Sequence, residues 1–366
     1  MDLLVVGWDA ATSTHLRAID LPFWDSLDHS GTLLPEELFH DTYISTGNAW
    51  TTITTGAPFE DHRVLGFVHG PYVGHPLAGP IKWVANRSVL PRLVRRGVLA
   101  FGLGNVATEG GRGASPQSTD VPFKRVWEYL SGNALVFGLP VSYPTWETNG
   151  ILISGVPAPT PEEATQPLVS PAELQPTVFD EDFTGYHVQM DSPVNDENTS
   201  VEAFCDAHVD KTEAVADRYI DLYSDHDERE DFEFGFVMLR SIDDVLHSTT
   251  DKGVIERIYR ATDRATRRVI DEINPDDVLV LSDHGMGPRS PLRVGKNIGL
   301  DHDTTRGVWG GTAPFGLERQ LDVTPAILEY FGIDVEPPQE KDGYELVKKR
   351  IDETAVHERL ADLGYR

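Results

Sequence analysis

Cysteine is almost absent from the chain: Cys205 is the single cysteine among 366 residues. One thiol cannot form an internal disulfide, and it cannot supply a zinc site built from several cysteine ligands. A small buried or half-buried side chain is the simplest interpretation of Cys205. Long apolar runs are missing too, since no stretch reaches the roughly 18 to 20 continuous apolar residues of a membrane span. We therefore expect no transmembrane segment.

Lysine is also scarce, with eight residues among 31 basic ones, whereas 59 residues are acidic. The net charge of −28 predicts a surface that repels nucleic-acid backbones and anionic membranes, so nucleic-acid binding is not expected. The same bias resembles that of proteins from salt-loving archaea, in which carboxylates keep a protein hydrated and salt screens their mutual repulsion. The N-terminal segment MDLLVVGWDAAT lacks the basic start and long apolar run of a signal peptide, which predicts a cytoplasmic location.

Apolar runs that resemble strands alternate with helical patterns along the chain. This alternation predicts an α/β fold with a doubly wound, largely parallel sheet flanked by helices. The strands are expected at 3–9, 133–140, 150–156, 232–241 and 276–283, and the helices at 123–131, 201–223, 252–273 and the end of 321–333.

Two regions interrupt this alternation. Residues 68–120 are rich in Gly, Pro and Arg and predict an elaborated loop, and residues 157–200 are rich in Pro and acidic residues. We expect a discontinuous catalytic core, an inserted cap and a C-terminal helical tail. Their predicted bounds are 1–156 with 232–345 for the core, 157–231 for the cap and 346–366 for the tail.

Acidic residues stand where predicted strands end. Asp9 closes the first strand, Asp243 follows the strand at 232–241, and Asp283 with His284 closes the strand at 276–283. Ligands of open α/β sheets bind beyond the carboxyl ends of the strands, so these side chains are candidates for one site.

Two further histidines extend this set. His247 lies four residues after Asp243, so both side chains share one face of a helical turn, and His302 comes from a loop flanked by glycine. Mixed oxygen and nitrogen donors suit zinc or manganese rather than calcium. Each residue also has an ordinary explanation, since an Asp after a strand often caps a helix and a loop histidine is often exposed. Because all these Asp and His residues occur together, a metal site explains them as well as the separate ordinary explanations do.

The stretch STGNAWTTITTG, residues 45–56, places six hydroxyl side chains in twelve positions. One of these hydroxyls is a candidate nucleophile, and a polar turn is the alternative. Composition and spacing alone leave open which hydroxyl would react.

Several stretches together resemble the type I phosphodiesterase/nucleotide pyrophosphatase family of the alkaline phosphatase superfamily. They are VVGWDAAT at the first strand, NAWTTITTGAPFEDH, IDDVLH and LVLSDHGMG, and the segment from VWEYLS to ILISG lies between them. The likeness runs from about residue 3 to residue 345. It implies an alkaline-phosphatase-like core with two divalent metal ions, zinc or alternatively manganese, and phosphodiesterase activity on a small phosphate ester.

The resemblance also implies a role for each candidate. One metal would be held by Asp243, His247 and His302, and the other by Asp9, Asp283, His284 and the oxygen of Thr46. In the family the nucleophilic hydroxyl lies ten positions before the Gly of a Thr-Gly pair, which from Gly56 is Thr46, with Ser45 as the alternative. A phospho-threonine intermediate follows from that assignment. The later threonines, Thr51, Thr52, Thr54 and Thr55, are expected to cap or pack the helix that follows.

The sequence departs from the family pattern at three positions. Asn48 replaces a frequent proline, and its amide either donates to a phosphoryl oxygen or forms a turn. Arg63 replaces the glycine of a His-Gly pair, so it contacts substrate or the local backbone differs. Phe67 replaces an asparagine of the nucleotide pyrophosphatases, which weakens the nucleotide interpretation. The basic segment 86–97 is either a lid for a lipid-linked phosphodiester or an ordinary surface helix.

Other functions remain open at this point. A phosphomonoesterase or a phosphotransferase of the same superfamily would use similar residues, and a metal-binding protein could have kept the site and lost turnover. A sulfatase is not expected, because the chain lacks the Cys/Ser-x-Pro-x-Arg frame of that class. Neither the physiological substrate nor the oligomeric state follows from the sequence.

Overall fold

The computed structural model describes residues 1–35, 44–62, 64, 116–180, 183–185, 190, 192–193, 196, 198–288, 298–303 and 306–341. Its strands are β1 (Leu3–Trp8), β2 (His29–Leu33), β3 (Asn133–Leu139), β4 (Gly150–Ser154), β5 (Val169–Ser170), β6 (Phe232–Leu239), β7 (Asp277–Leu281), β8 (Gly285–Gly287), β9 (Asp301–Asp303) and β10 (Gly307–Gly311). Its α-helices are α1 (Ser13–Ala18), α2 (Thr46–Thr55), α3 (Phe59–His62), α4 (Gln175–Val178), α5 (Val201–Glu230), α6 (Ser241–Leu246), α7 (Lys252–Ile273) and α8 (Val323–Tyr330).

One mixed sheet organises the fold, with the strand order β2-β10-β7-β1-β6-β3-β4-β5. The five central strands, β7 to β4 in this order, run parallel, and β10, β2 and β5 join antiparallel at the two edges. Strand β1 lies in the middle, where Leu3 pairs with Phe234 of β6 on one side and with Asp277 of β7 on the other. The predicted α/β fold with a largely parallel sheet is confirmed.

Both faces of this sheet are covered, as the unbroken apolar run of β1 requires. Alternate residues of a strand point to opposite faces, so β1 contributes to two cores. Leu4, Val6 and Trp8 belong to a cluster that includes residues of α5 and α7. Leu3 and Val5 belong to a second cluster on the other face, which includes residues of α2 and α8. The sheet is therefore doubly wound, as predicted.

Helix α7 occupies the predicted range. Its apolar residues recur at three- and four-residue spacings and are buried against the sheet. The carboxylate of Asp251 caps the first turn by accepting from the N–H groups of Gly253 and Val254 at 2.8 and 3.0 Å. Asn274 ends the helix in the left-handed conformation.

Two expectations about secondary structure are incomplete or wrong. The antiparallel strands β2 and β10 are not predicted, because HSGTL is largely exposed and GVWGG is rich in glycine, so neither has a strand-like apolar run. The helix predicted at 123–131 is only a 3₁₀ turn at Val126–Tyr129. The chain becomes extended again at Leu130 and enters β3 at Asn133, which leaves no room for a longer helix.

The predicted cap, 157–231, contributes β5 to one sheet edge and α5 to the layer that contains α7. The division of the chain into core, cap and tail stays a prediction. Arg63, Phe67, the basic segment 86–97 and the tail 346–366 lie outside the described residues. Among the helices described, none has the length and apolar character needed to span a bilayer.

Candidate metal centre

The carboxyl ends of three adjacent strands supply most of the candidate donors. Strands β7, β1 and β6 are neighbours in the sheet, so the residues that follow them meet at one edge. Asp9 follows β1, Asp283 and His284 follow β7, and Asp243 lies in α6 directly after β6. These side chains are buried, with at most 4% of their surface exposed.

The first donor group consists of Asp243, His247 and His302. The Oδ1 atom of Asp243 lies 3.3 Å from the Nε2 atoms of both His247 and His302. The two Nε2 atoms lie 3.0 Å apart. The i, i+4 spacing on α6 brings Asp243 and His247 together, as predicted, and β9 brings His302 to them from a distant part of the chain.

The second donor group consists of Asp9, Asp283 and His284. The Nε2 atom of His284 lies 3.7 Å from Oδ1 of Asp9 and 3.4 Å from Oδ2 of Asp283. In each group the three donor atoms lie within 4.8 Å of one another, a spacing at which they could bind one ion. The structure therefore brings together all six predicted donors in the two predicted sets.

The turn after β1 has an unusual backbone. Ala10 has a φ of 65°, a left-handed conformation that a residue with a side chain seldom adopts. In this conformation its N–H group donates to Oδ1 of Asp283 at 3.2 Å. This hydrogen bond connects the strained turn at the end of β1 to the carboxylate that follows β7.

The three histidines are oriented by bonds to main-chain carbonyl groups. The Nδ1 atoms of His247, His284 and His302 contact the carbonyl oxygens of Leu300, Gly285 and Ile44 at 3.2, 3.2 and 2.9 Å. A carbonyl oxygen only accepts, so each Nδ1 carries the proton and each Nε2 presents a lone pair in the neutral ring. Metal-binding histidines are typically held in this way.

Within the two donor groups, three buried carboxylate oxygens have no hydrogen-bond partner among the described residues: Oδ2 of Asp9, Oδ1 of Asp243 and Oδ2 of Asp283. Burying such an oxygen unsatisfied is costly, so a compensating cation is the expected occupant of the site. Together with the Nε2 lone pairs, the carboxylates of Asp9, Asp243 and Asp283 form the mixed oxygen and nitrogen donor sets that suit zinc or manganese. The residues present fit a pair of divalent ions.

The protonation of the second group reflects its burial. Burial raises the pKa of Asp9 well above its usual range, and the carboxylates of Asp283 and Asp243 raise it further. Burial also raises the pKa of Asp283 to about 7. Burial and the neighbouring His302 ring together lower the pKa of His284 far below its usual range, which keeps this ring neutral.

The first group differs because imidazoles surround its carboxylate. Burial by itself would raise the pKa of Asp243, but His247 and His302 outweigh it and hold this pKa well below the usual range. In turn, burial would lower the pKa of His247, whereas Asp243 raises it to about 9. Without a bound cation, this group therefore holds a proton on His247.

The hydroxyl-rich stretch forms helix α2, and the hydroxyls of Thr51, Thr54 and Thr55 each donate to the carbonyl oxygen four residues earlier. These bonds, 2.6 to 2.7 Å long, allow polar side chains to be buried inside a helix. Thr52 instead contacts Nε2 of His62 at 3.0 Å. The four later threonines thus lie within α2 itself, rather than at a helix that follows it.

Thr46 is the threonine of this stretch whose hydroxyl contacts the donor groups. Its Oγ1 lies 3.3 Å from Oδ1 of Asp9 and 3.4 Å from Nε2 of His284. Thr46 is also the first residue of α2, so the positive end of the helix dipole lies beside its hydroxyl. Its neighbour Ser45 is the N-cap residue, and the side-chain oxygen of Asn48 accepts from the Ser45 N–H group at 3.0 Å in a capping box.

Two further residues shape the site, and the first of them, Arg240, was not identified from the sequence. Arg240 directly follows β6 and lies among the carboxylates, a position that its place after a strand could have indicated. Gly307 begins β10 where a Cβ atom would overlap the carbonyl oxygen of Ser282. Only glycine therefore lets β10 run past the turn that carries Asp283 and His284.

Comparison with known proteins gives one family. The family model described as type I phosphodiesterase / nucleotide pyrophosphatase matches residues 3–306, which is more than half of the chain. No curated protein matches the chain.

Solved structures show weaker likenesses. Murine ectonucleotide pyrophosphatase / phosphodiesterase 5, in an inactive threonine-to-alanine form in complex with AMP, is 14% identical, with 80% of this chain and 59% of the murine chain covered and a TM-score of 0.38. The alkaline phosphatase of the Antarctic bacterium TAB5 is 10% identical, with 91% of this chain and 99% of the bacterial chain covered and a TM-score of 0.38. A variant of the alkaline phosphatase PafA is 13% identical, with 78% of this chain and 63% of the PafA chain covered and a TM-score of 0.41. The chain thus spans about three fifths of the murine protein it resembles.

Proposed function

The chain belongs to the type I phosphodiesterase / nucleotide pyrophosphatase family, and on that premise we propose that it is a metal-dependent phosphoric ester hydrolase acting on diesters. The observation that supports this function best is the position of the Thr46 hydroxyl. It lies at the start of a helix and within 3.4 Å of both Asp9 and His284. A hydroxyl beside a candidate metal group is the arrangement that an activated oxygen nucleophile needs.

Two divalent ions would complete the site, with zinc as the first choice and manganese as the alternative. Asp243, His247 and His302 would hold one ion, and Asp9, Asp283, His284 and Thr46 would hold the other. When bound, such ions lower the pKa of hydroxyl groups and water and compensate charge on the phosphoryl oxygens. Oδ1 of Asp243 and Oδ2 of Asp283, which are buried without a hydrogen-bond partner among the described residues, support this assignment.

Thr46 is the proposed nucleophile. Its Oγ1 gives up its proton and forms a bond to phosphorus, while the phosphorus–oxygen bond to the leaving group breaks and the leaving oxygen takes a proton. Water then attacks the phospho-threonine, which releases phosphate monoester and restores the Thr46 hydroxyl. Asp9 and His284 orient Oγ1 toward the substrate, and the N-terminus of α2 stabilises the negative charge of the phosphoryl group.

Two further residues are proposed to bind substrate. The Asn48 side chain caps α2 through its oxygen and is buried beside Thr46, so its amide nitrogen is the group proposed to donate to a phosphoryl oxygen. Arg63 directly follows α3, and we propose that its guanidinium pairs with the phosphate, as arginine commonly does.

The proposed substrate is a small phosphodiester, either a nucleotide or a lipid-linked ester. A net charge of −28 slows the approach of any phosphate ester unless salt screens the field. Activity should therefore rise with ionic strength for the same metal and substrate. The cytoplasmic location and the adaptation to high salt stay predictions from the sequence.

A comparison of two chromogenic esters tests the function. The chain is assayed in high salt, with added zinc or manganese, on bis(p-nitrophenyl) phosphate and on p-nitrophenyl phosphate. Faster hydrolysis of the diester supports the proposal, whereas a preference for the monoester supports a phosphomonoesterase. Metal binding without hydrolysis of either ester would indicate a metal-binding protein that has lost turnover. Transfer of phosphate to an added alcohol would indicate a phosphotransferase.

A further inference from the structure

Arg240 lies between the two donor groups. Its Nε atom is 3.8 Å from Oδ2 of Asp9, and its Nη2 atom is 3.9 Å from Oδ2 of Asp243. One guanidinium thus approaches one carboxylate of each group. Its side chain is largely covered, with 21% of its surface exposed, and its pKa is raised because four carboxylates, led by Asp244, outweigh the effect of burial.

The two carboxylates use their oxygen atoms in the same way. Oδ1 of Asp9 faces Thr46 and His284, and Oδ1 of Asp243 faces the histidines of its own group. The Oδ2 atom of each carboxylate is the one that faces Arg240. Asp9 and Asp243 therefore each direct one oxygen, Oδ1, toward the other donors of their group.

Arg240 is itself held from the opposite side. Its Nη2 atom donates to Oδ1 of Asp244 at 2.8 Å, one turn further along α6. The other oxygen of Asp244 lies 4.0 Å from Nδ1 of His208, a buried residue of α5. The hydroxyl of Ser241 at the start of α6 donates to the main-chain oxygen of His208 at 3.1 Å. Asp244 thus fixes the guanidinium, and α5 packs against the helix that carries Asp244.

We propose that Arg240 is a positioning residue that holds the Oδ2 atoms of Asp9 and Asp243, so that each carboxylate offers only Oδ1 to its metal ion. This inference rests on the proposed function. The fixed positive charge also compensates the buried carboxylates when no metal ion is bound. Without it, each carboxylate can rotate and bind through both oxygens.

The test compares the metal-free and metal-loaded full-length chain. Arg240→Gln removes the charge, Arg240→Lys keeps it, and Arg267→Gln removes an exposed arginine of α7 as the matched control. Each melting temperature is measured after chelator treatment and dialysis, and again with saturating zinc. We expect the melting temperature of Arg240→Gln to lie about 5 °C or more below that of the wild type without metal. With zinc the difference should be less than about 2 °C, because bound ions replace the missing charge. Arg240→Lys should recover most of the loss, and the control should change little in either state.

Cobalt(II) provides the second measurement, because its visible absorption weakens as its coordination number rises. Cobalt-loaded Arg240→Gln should absorb less than the cobalt-loaded wild type, since the freed Oδ2 atoms enter the coordination sphere. Equal losses of melting temperature with and without zinc, or an unchanged cobalt spectrum, would overturn the proposal. If metal-free Arg240→Gln does not fold, the cobalt comparison and the Arg240→Lys melting temperatures decide.

The wild-type chain separates this inference from the proposed function. If zinc leaves the wild-type melting temperature unchanged, the proposed metal centre itself is wrong. If zinc stabilises the wild type, and the melting temperature of Arg240→Gln falls by the same amount with and without zinc, only the proposed role of Arg240 is wrong.

Discussion

The imidazole rings of His284 and His302 lie with their centroids 4.0 Å apart and their planes at 32°. His284 belongs to the group with Asp9, whereas His302 belongs to the group with Asp243. The two donor groups therefore adjoin rather than forming separate surface sites. In two-metal phosphoryl-transfer enzymes the ions lie about 3.5–4 Å apart and act on one phosphoryl group, which adjoining groups would permit.

Removal of metal ions should abolish activity and lower stability together. A chelator removes the ions that would bind the buried carboxylates and leaves Arg240 to compensate their charge, so turnover should fall to background and the melting temperature should fall with it. Added zinc or manganese should restore both, with about two ions bound per chain as measured by elemental analysis. Magnesium added at the same concentration serves as the control for ionic strength. Full activity in a preparation shown to be free of metal would contradict the proposed centre.

Substitution of Thr46 should have a much larger effect on activity than substitution of its helical neighbours. Thr46→Ala should lower kcat/KM by about 1,000-fold or more, since it removes the proposed nucleophile, and Thr46→Ser should retain part of the activity. Thr51→Ala is the matched control, because it removes a buried hydroxyl of the same helix that donates to the Gly47 carbonyl oxygen. Thr51→Ala should lower the free energy of unfolding by about 1 kcal/mol and leave kcat/KM close to the wild-type value. Equal activity losses in the two alanine variants would exclude a special role for Thr46.

Acid should destabilise the chain partly through His62. Burial and the nearby Arg125 lower the pKa of this imidazole to about 3, and its Nδ1 atom accepts from the N–H group of Val64 at 3.0 Å. The unfolded chain gains a proton below its ordinary pKa of 6.5, whereas the folded chain does not. The stabilisation is therefore complete above pH 6.5 and declines toward pH 3, by about 1.4 kcal/mol per pH unit.

The variant His62→Gln should remove this contribution, since glutamine is neutral throughout. Urea unfolding between pH 7 and pH 4 would show a shallower loss of unfolding free energy in the variant. At pH 7 and above, the two proteins should have parallel pH profiles. An identical acid slope in both proteins would mean that His62 is not the titrating group.

Cys205 should be unreactive in the folded chain. Its side chain is fully buried, and burial raises the pKa of the thiol to about 11 despite the nearby Arg257. The thiolate is the reactive form, so alkylation by iodoacetamide at pH 8 should be at least roughly 100-fold slower in the folded chain than in urea. Mass spectrometry of the labelled protein measures both rates. Equal rates in the two conditions would show that the site opens readily.

The sequence by itself determined the class of the fold and the chemical identity of the donors. Unbroken apolar runs such as LLVVGW require burial on both faces, which predicts the parallel sheet, and the i, i+4 spacing places Asp243 and His247 on one face. These are local properties, because periodicity and spacing act within a few residues.

Tertiary structure decided which strand ends meet. The order β7-β1-β6 brings Asp283, Asp9 and Asp243 together, although β1 and β7 are separated by more than 260 residues. The edge strands β2 and β10 depend on the same pairing and lack a strong local pattern.

The roles of individual polar side chains were also decided by tertiary contacts. The hydroxyls of Thr46 and Thr51 look alike in the sequence, but one reaches Asp9 while the other bonds within its own helix. Arg240 likewise becomes notable only because the sheet places it between two carboxylates. Contacts between residues distant in sequence arise when the sheet assembles, so no local pattern records them.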